Sequence, residues 1–98
     1  MGSGYDYYIS CCSYSSGHIS SAGVHQNLHG TLGSKNICSR TWIVDQIKAL
    51  YSFCTIFRTG SDWRIGAKVN IITVDGNLYL RTDANRTKCD NLGELPDC

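Results

Sequence analysis

Residues 69–96, VNIITVDGNLYLRTDANRTKCDNLGELP, decide the fold. The segment opens with alternating residues whose apolar members are β-branched or aromatic, breaks at Asp75-Gly76, and resumes with apolar residues from Leu78. Asp-Gly between two such runs predicts a hairpin with a two-residue loop, because both turn positions favour a positive φ. Apolar residues on both faces indicate that the hairpin lies inside a sheet that is at least partly covered. The loop length sets the cross-strand pairs Thr73–Leu78, Ile71–Leu80, Ile72–Tyr79 and Val69–Thr82.

The N-terminal third predicts an antiparallel pair of strands. Residues 5–14 alternate with strong β propensity, a Ser-Ser-Gly turn follows, and residues 18–25 form a weaker second strand with Ile19 and Val24 as its apolar members. Residues 26–39 are polar and are interrupted by Gly30 and Gly33, which predicts a loop.

The middle of the chain predicts one helix, which begins after Ser39 or Thr41 and ends near Ser52. Its apolar residues follow the i, i+3, i+4, i+7, i+8 spacing of a single stripe. A helix of about three turns is marginal alone, so the stripe must pack on the sheet. The members of the stripe are Ile43, Val44, Ile47, Leu50 and Tyr51.

Residues 53–59 predict a third strand, and residues 63–65 a short edge segment after a Gly-Ser-Asp turn. The order is therefore β-β-α-β-β-β. This order predicts one α+β domain over residues 1–98, with a mostly antiparallel sheet of about five strands and one helix packed on it.

Composition limits the classes of function. The chain has 98 residues, of which 42% are hydrophobic and 17% charged, and its formal net charge is +1. A near-neutral chain gives no electrostatic case for a nucleic-acid or membrane partner. No apolar run approaches the roughly 20 residues that span a bilayer, and the N-terminus lacks the basic and apolar regions of a signal peptide. We therefore expect a cytoplasmic protein with no membrane partner.

The chain is rich in cysteine for its length. An even number of cysteines in a short secreted chain would suggest a disulfide framework, but without an export signal the reduced state is the default. We expect reduced cysteines that mostly pack as small hydrophobes. The six are Cys11, Cys12, Cys38, Cys54, Cys89 and Cys98.

The last quarter carries a family resemblance. Leu80-Arg81-Thr82-Asp83 with Asn85, then Asp90-Asn91-Leu92-Gly93 and Leu95-Pro96, resembles the ending of the bacterial family called domain of unknown function 3892. The opening strand, Thr41-Trp42 with Val44 and Ile47, and Phe57 ahead of Trp63 are compatible with that family. The resemblance implies no activity, and the many cysteines depart from the pattern, which leaves a redox or metal feature open.

Metal binding and catalysis are the weaker alternatives. His25 and His29 have the spacing of paired zinc ligands, with Cys11 and Cys38 as weak further candidates, but the adjacent Cys11 and Cys12 point to opposite faces of a strand. We therefore expect no metal and no other cofactor. No motif places a cysteine, a histidine and an orienting group together, so we expect no enzyme activity.

The tail signature allows two interpretations. Arg81 could pair with Asp90 and clamp the tail, anchored by Leu92 and Leu95, onto the hairpin. Alternatively, Arg81, Asp83, Asp90 and Asn91 line a polar pocket for a small anionic or nucleotide-like ligand.

A third set of residues suggests base stacking and phosphate contacts. Aromatic and cationic side chains interleave here along sheet strands, as they do in proteins that bind nucleotides or nucleic acids. The set consists of Arg58, Trp63, Arg64 and Lys68, together with Tyr79 and Arg81.

We conclude from the sequence that the chain is a small non-catalytic binding or interaction module. Its expected partner is a protein or a second copy of itself, pairing through an exposed edge of the N-terminal strands. The alternatives are a nucleotide or nucleic-acid binding domain and a module held by metal or disulfide bonds.

Overall fold

The computed structural model describes residues 4–28, 31–82, 90–93 and 95–98. Within these ranges, seven strands and one helix make an α+β fold, and the predicted class is confirmed. None of the helices in these residues has the length and apolar character needed to traverse a bilayer. The elements are β1 Tyr7–Ser15, β2 His18–Leu28, β3 Thr31–Ser39, α1 Arg40–Lys48, β4 Phe53–Thr59, β5 Asp62–Lys68, β6 Asn70–Val74 and β7 Asn77–Arg81.

The main sheet has five strands in the order β3-β2-β1-β4-β5. All neighbours are antiparallel except β1 and β4, which run parallel over Tyr7–Ile9 and Phe53–Thr55. The helix lies in the crossover that this parallel pair requires. The central strands β1 and β2 are therefore interior, and the predicted exposed edge of the N-terminal pair is wrong. The edges of the sheet are β3 and β5.

The strand β3 corrects the prediction of a loop over residues 26–39. With β5 counted as a full strand, the order of the described elements is β-β-β-α-β-β-β-β and not the predicted β-β-α-β-β-β. The residues of β3 do not alternate between apolar and polar, so the sequence pattern does not predict a strand. Most of their side chains are exposed, so burial does not require such alternation. Backbone pairing with β2 holds the strand instead, from Ser39 opposite Ser21 to Thr31 opposite Leu28. The predicted edge segment of residues 63–65 is likewise longer, since β5 runs over Asp62–Lys68.

The hairpin of β6 and β7 confirms its predicted turn and three of the four predicted pairs. Thr73–Leu78, Ile71–Leu80 and Ile72–Tyr79 are opposite each other, whereas Val69 precedes the paired segment. The hairpin forms a separate two-stranded sheet rather than part of the main one, which corrects the expectation that it lies inside the sheet. Tyr79 and Leu80 are buried against the rest of the chain.

The helix α1 begins as predicted and ends early. The Ser39 hydroxyl accepts a hydrogen bond from the Trp42 N–H at 3.1 Å and caps the N-terminus. At the other end Leu50 has φ of 75°, and the Tyr51 N–H bonds to the Gln46 carbonyl at 3.0 Å. These are the features of a Schellman motif with leucine where glycine is usual. Leu50 is consequently 91% exposed, and the predicted apolar stripe ends at Ile47.

Two groups of buried side chains lie on opposite faces of the sheet. The larger group packs beneath α1, the hairpin and the tail, and it includes Leu92, as predicted. The smaller group consists of Tyr8, Cys54 and Ile56, with Trp63 packed against it. A β-bulge between Ile9 and Cys11 shifts the alternation of β1. The members of the larger group are Ile9, Cys12, Ile19, Ala22, Val24, Ile43, Val44, Phe53, Val69, Leu80 and Leu92.

Candidate ligand cleft

A cleft opens where the parallel strands β1 and β4 separate. The pairing of β1 with β4 ends at Ile9, and farther along β1 the Cys12 N–H donates to the Pro96 carbonyl of the tail at 3.0 Å. The space between β1, β4, β5 and the tail has a volume of about 890 Å³, which is in the range of small-molecule sites. Its lining residues are Ser10, Cys11, Lys35, Thr55, Phe57, Arg58, Trp63, Gly66, Ala67, Thr82, Leu92, Gly93, Leu95, Pro96 and Asp97.

One wall of the cleft carries an aromatic ring with a cation above it. Arg58 on β4 is directly opposite Trp63 on β5, so both side chains lie on the same face. The Arg58 guanidinium carbon is 4.9 Å from the centre of the Trp63 ring, which is the geometry of a cation–π contact. The sequence predicted both residues as ligand contacts, and the structure brings them together.

A lysine that the sequence did not indicate reaches the cleft from β3. Lys35 on β3 lies opposite His25 on β2, and the Lys35 side chain passes over Gly23. A Cβ at Gly23 would lie 2.7 Å from the Lys35 Cδ and 2.5 Å from the Cys11 Sγ. The glycine therefore provides the room in which the lysine extends toward the cleft. Because residues 26–39 read as a loop, no local pattern pointed to Lys35.

A buried serine–histidine pair lies beside the cleft. The Ser10 Oγ is 2.8 Å from the His25 Nε2, and the His25 Nδ1 is 2.9 Å from the Gly33 carbonyl. A carbonyl only accepts, so in the neutral ring Nδ1 donates to it and Nε2 accepts from the serine hydroxyl. The imidazole ring centre is also 5.9 Å from that of Trp63. His25 therefore fixes the orientation of Ser10, a residue that lines the cleft.

The opposite wall is the C-terminal segment, which a disulfide holds in place. Cys11 on β1 and Cys98 are bonded, with their Cα atoms 5.1 Å apart. The expectation of a fully reduced set of cysteines is therefore wrong for this pair. Cys12, Cys38 and Cys54 are free thiols, and Cys89 lies outside the described residues. Burial raises the pKa of all three free thiols, and for Cys12, where Asp90 adds to the effect, to about 12.

Asp90 of the tail clamps the fold as predicted, but its arginine partner is Arg40 and not Arg81. The Asp90 carboxylate accepts from the Arg40 Nε at 2.7 Å and from the backbone N–H groups of Ile19 at 2.7 Å and Leu80 at 2.8 Å. Arg81, the predicted partner, is buried on β7 beside Asn91, where the tail adds a parallel bridge. Both carboxylate oxygens of Asp90 accept hydrogen bonds from within the protein, so we assign Asp90 a role in stabilising the fold and not in binding a ligand.

The remaining predicted site residues lie elsewhere. Arg64 follows Trp63 on β5 and points to the other face, and Lys68 is outside the cleft lining. Tyr79 stacks on His18, with their ring centres 5.6 Å apart. Asp83 and His29 lie outside the described residues.

Among the described residues, no three His, Cys, Asp or Glu side chains gather as metal ligands do. The Cys38 thiol, one of the metal candidates, faces the Asn36 carbonyl.

Comparison with known proteins identifies a family and no activity. The family model described as "Protein of unknown function (DUF3892)" matches residues 8–96. The match covers the main sheet, the helix, the hairpin and the part of the tail that closes the cleft. No curated protein and no solved structure gives a match to the chain.

Proposed function

For this chain, which belongs to the DUF3892 family of proteins of unknown function, we propose that the cleft binds a small ligand that combines a planar ring with an anionic group. A nucleoside monophosphate is the simplest member of that class. The protein acts through this binding, without catalysis, in the cytoplasm.

The observation that carries the proposal is the joint presence of Lys35, Arg58 and Trp63 in one cleft of about 890 Å³. The Arg58 guanidinium over the Trp63 ring forms a stack on which a planar ring can lie, and stacking on an aromatic side chain is worth about 1–3 kcal/mol for a nucleobase. Among the described lining residues, Lys35 and Arg58 are cationic and Asp97 is anionic, so their charges sum to a positive value. Guanidinium and ammonium groups on one side of a site favour phosphate or carboxylate.

The polar groups around these three residues support a specific orientation of the ligand. Ser10 and Thr55 bring hydroxyl groups into the lining. The Thr55 hydroxyl accepts from the Ala67 N–H at 3.0 Å, and the Ser10 hydroxyl is held by His25. Side chains fixed in this way lose little rotational freedom on binding, so they contribute to affinity at low entropic cost.

Calorimetric titration with three related compounds tests the proposal. Adenosine 5′-monophosphate (AMP) supplies both the ring and the anion, adenosine supplies the ring alone, and ribose 5-phosphate supplies the anion alone. We expect AMP to bind more tightly than either fragment. Trp63→Ala should weaken AMP binding by about tenfold or more through lost stacking. Lys35→Ala should weaken AMP but leave adenosine unchanged.

Arg64→Ala is the matched control. Arg64 adjoins Trp63 on β5 but does not line the cleft, and its replacement removes one positive charge, as Lys35→Ala does. It should leave the affinity for AMP unaltered. Equal loss in Arg64→Ala and Lys35→Ala would contradict the site and indicate attraction by overall charge alone.

A second candidate function is self-association through the edge strand β3. The strand is nine residues long, and Ile37 on it is 60% exposed. An exposed apolar residue on an unpaired edge favours pairing with another strand, here the same strand of a second copy. Light scattering after gel filtration should then show a dimer that Ile37→Lys converts to a monomer, whereas a monomer for the unmodified chain would rule out this candidate.

A further inference from the structure

The C-terminal wall of the cleft has two attachments of different kinds. Upstream of Gly93, Asp90 is bound to Arg40, Ile19 and Leu80, and the Leu92 side chain is buried. Downstream of Gly93, Leu95 is half-buried and residues 96–98 are exposed. This downstream part is held by the Cys11–Cys98 disulfide, the Cys12–Pro96 hydrogen bond and the packing of Leu95. Gly93, with φ of 82°, lies between the two attachments.

We propose that the Cys11–Cys98 disulfide is a redox catch that keeps the downstream tail in place as a wall of the ligand cleft. Reduction releases Leu95, Pro96 and Asp97 from the lining, while the Asp90 attachment keeps the upstream tail and the fold intact. The inference rests on the proposed function for its effect on ligand affinity. Its effect on the tail stands independently.

The exposure of the two bonded residues indicates the direction of the exchange. Cys98 is exposed and Cys11 is buried, so the thiolate of a dithiol reductant reaches the Cys98 sulfur. The new S–S bond to Cys98 forms as the old one breaks, and Cys11 leaves as a thiolate that takes up a proton. The second thiol of the reductant then displaces Cys98 as a thiol. Two electrons pass from the dithiol, which becomes a cyclic disulfide.

The locations of the three free thiols in the described part of the chain support a catch with two states, bonded and reduced. Cys12 is adjacent in sequence, but its side chain packs in the core beneath the helix, on the other face of the sheet from Cys11. Burial raises the pKa values of Cys12, Cys38 and Cys54, so few of these thiols ionise near neutral pH. They therefore compete poorly for the disulfide. In the cytoplasm that we propose for this chain, a disulfide would more often be a redox sensor than a structural bond.

Hydrogen exchange at two backbone amides tests the release of the tail. The Cys12 N–H bonds to Pro96 downstream of Gly93, and the Asn91 N–H bonds to the Leu80 carbonyl at 2.8 Å upstream of it. We expect dithiothreitol to accelerate exchange at Cys12 and to leave Asn91 unchanged. Cys98→Ser should reproduce the fast exchange at Cys12 without reductant, and Cys38→Ser, which removes a free thiol on β3, should keep the slow exchange. Unaltered protection of Cys12 after complete reduction would overturn the proposal.

The affinity for AMP tests the consequence for the cleft. We expect reduction to weaken binding by about tenfold, as loss of one apolar wall contact predicts, and to have no effect on Cys98→Ser. Equal affinity in the oxidised and reduced forms would overturn the catch as a control of the cleft and leave the binding function in place. If AMP binds to neither form, the proposed function fails, and exchange at Cys12 alone then decides whether the catch exists.

Discussion

Asp90 and Arg40 are joined by two hydrogen bonds, from Nε at 2.7 Å and from the terminal guanidinium nitrogen at 3.1 Å, across fifty positions of sequence. The same guanidinium reaches the Leu78 carbonyl of the hairpin. The Asp90 backbone N–H donates to the Gly17 carbonyl at 3.0 Å. One ion pair therefore ties the first turn of α1, the β1–β2 turn, the hairpin and the tail together.

Replacement of Asp90 should destabilise the fold strongly. Asp90→Ala removes the acceptor for Arg40 and for the backbone N–H groups of Ile19 and Leu80, and groups left buried without partners carry a large penalty. We expect the free energy of unfolding in urea to fall by about 3–5 kcal/mol. Asp45→Ala, which removes an exposed carboxylate from α1, should change it by less than about 0.5 kcal/mol. Similar losses in the two variants would contradict the clamp.

Acid should loosen the same clamp. Burial alone would raise the pKa of Asp90, but the hydrogen bonds from Arg40, Ile19 and Leu80 outweigh it and hold the pKa below its ordinary value. The folded-state pKa is thus lower than the unfolded one. The stabilisation is complete above the ordinary aspartate pKa of about 4 and is lost as the pH falls through the folded value.

Urea denaturation at a series of pH values below about 5 measures this effect. The free energy of unfolding should decline more steeply in the unmodified protein than in Asp90→Asn, which has no proton to bind. Parallel pH profiles for the two proteins would show that Asp90 is not the group responsible.

Leu50→Gly should stabilise the protein. Leu50 adopts φ of 75° at the end of α1 and is almost fully exposed, so the change removes backbone strain and loses little packing. We expect a gain of about 0.5–1 kcal/mol in thermal or urea unfolding, since the greater entropy of glycine in the unfolded chain offsets part of the relief. Leu50→Ala keeps the strain and should be close to neutral. A destabilised Leu50→Gly variant would contradict the assigned helix end.

Gly23→Ala should disturb the catch and the cleft together. The added methyl group would lie 2.5 Å from the Cys11 Sγ and 2.7 Å from the Lys35 Cδ. The lysine can move aside, but the bonded sulfur cannot, so we expect a loss of about 1–3 kcal/mol in the oxidised protein. In a Cys11→Ala background the same change should cost about 1 kcal/mol less, because the obstructing atom is gone. Additive losses in this double-mutant cycle would contradict the predicted crowding.

Local patterns in the sequence predicted most of the elements but few of the contacts between them. The Asp75-Gly76 turn and the cap at Ser39 were readable because a few adjacent residues determine them. The strand β3 was missed because an exposed edge strand needs backbone pairing rather than alternating hydrophobic residues. The end of α1 was placed too late because Leu50 continues the apolar spacing but faces solvent.

The candidate site divides in the same way. Arg58 and Trp63 were predicted from the interleaving of aromatic and cationic residues along the strands, and the short turn between β4 and β5 sets them opposite each other. Lys35, Ser10 and the Cys11–Cys98 bond were not predicted. They meet only because β1 lies between β2 and β4 and because the tail returns to β1. Asp90 was correctly linked to tail clamping, but two arginines were available and only the fold distinguishes Arg40 from Arg81.

Titration of the ¹⁵N-labelled, oxidised protein with AMP, followed by the indole N–H resonances in two-dimensional NMR, tests the central claim most directly. The chain has two tryptophans. Trp63 lines the cleft, and Trp42 projects from α1 toward the sheet, where its ring centre is 5.4 Å from that of Tyr7. A ligand in the cleft should shift the Trp63 indole signal in a saturable way and leave the Trp42 signal in place. An unmoved Trp63 signal at millimolar AMP, or equal movement of both signals, would contradict the assignment of this cleft as the binding site.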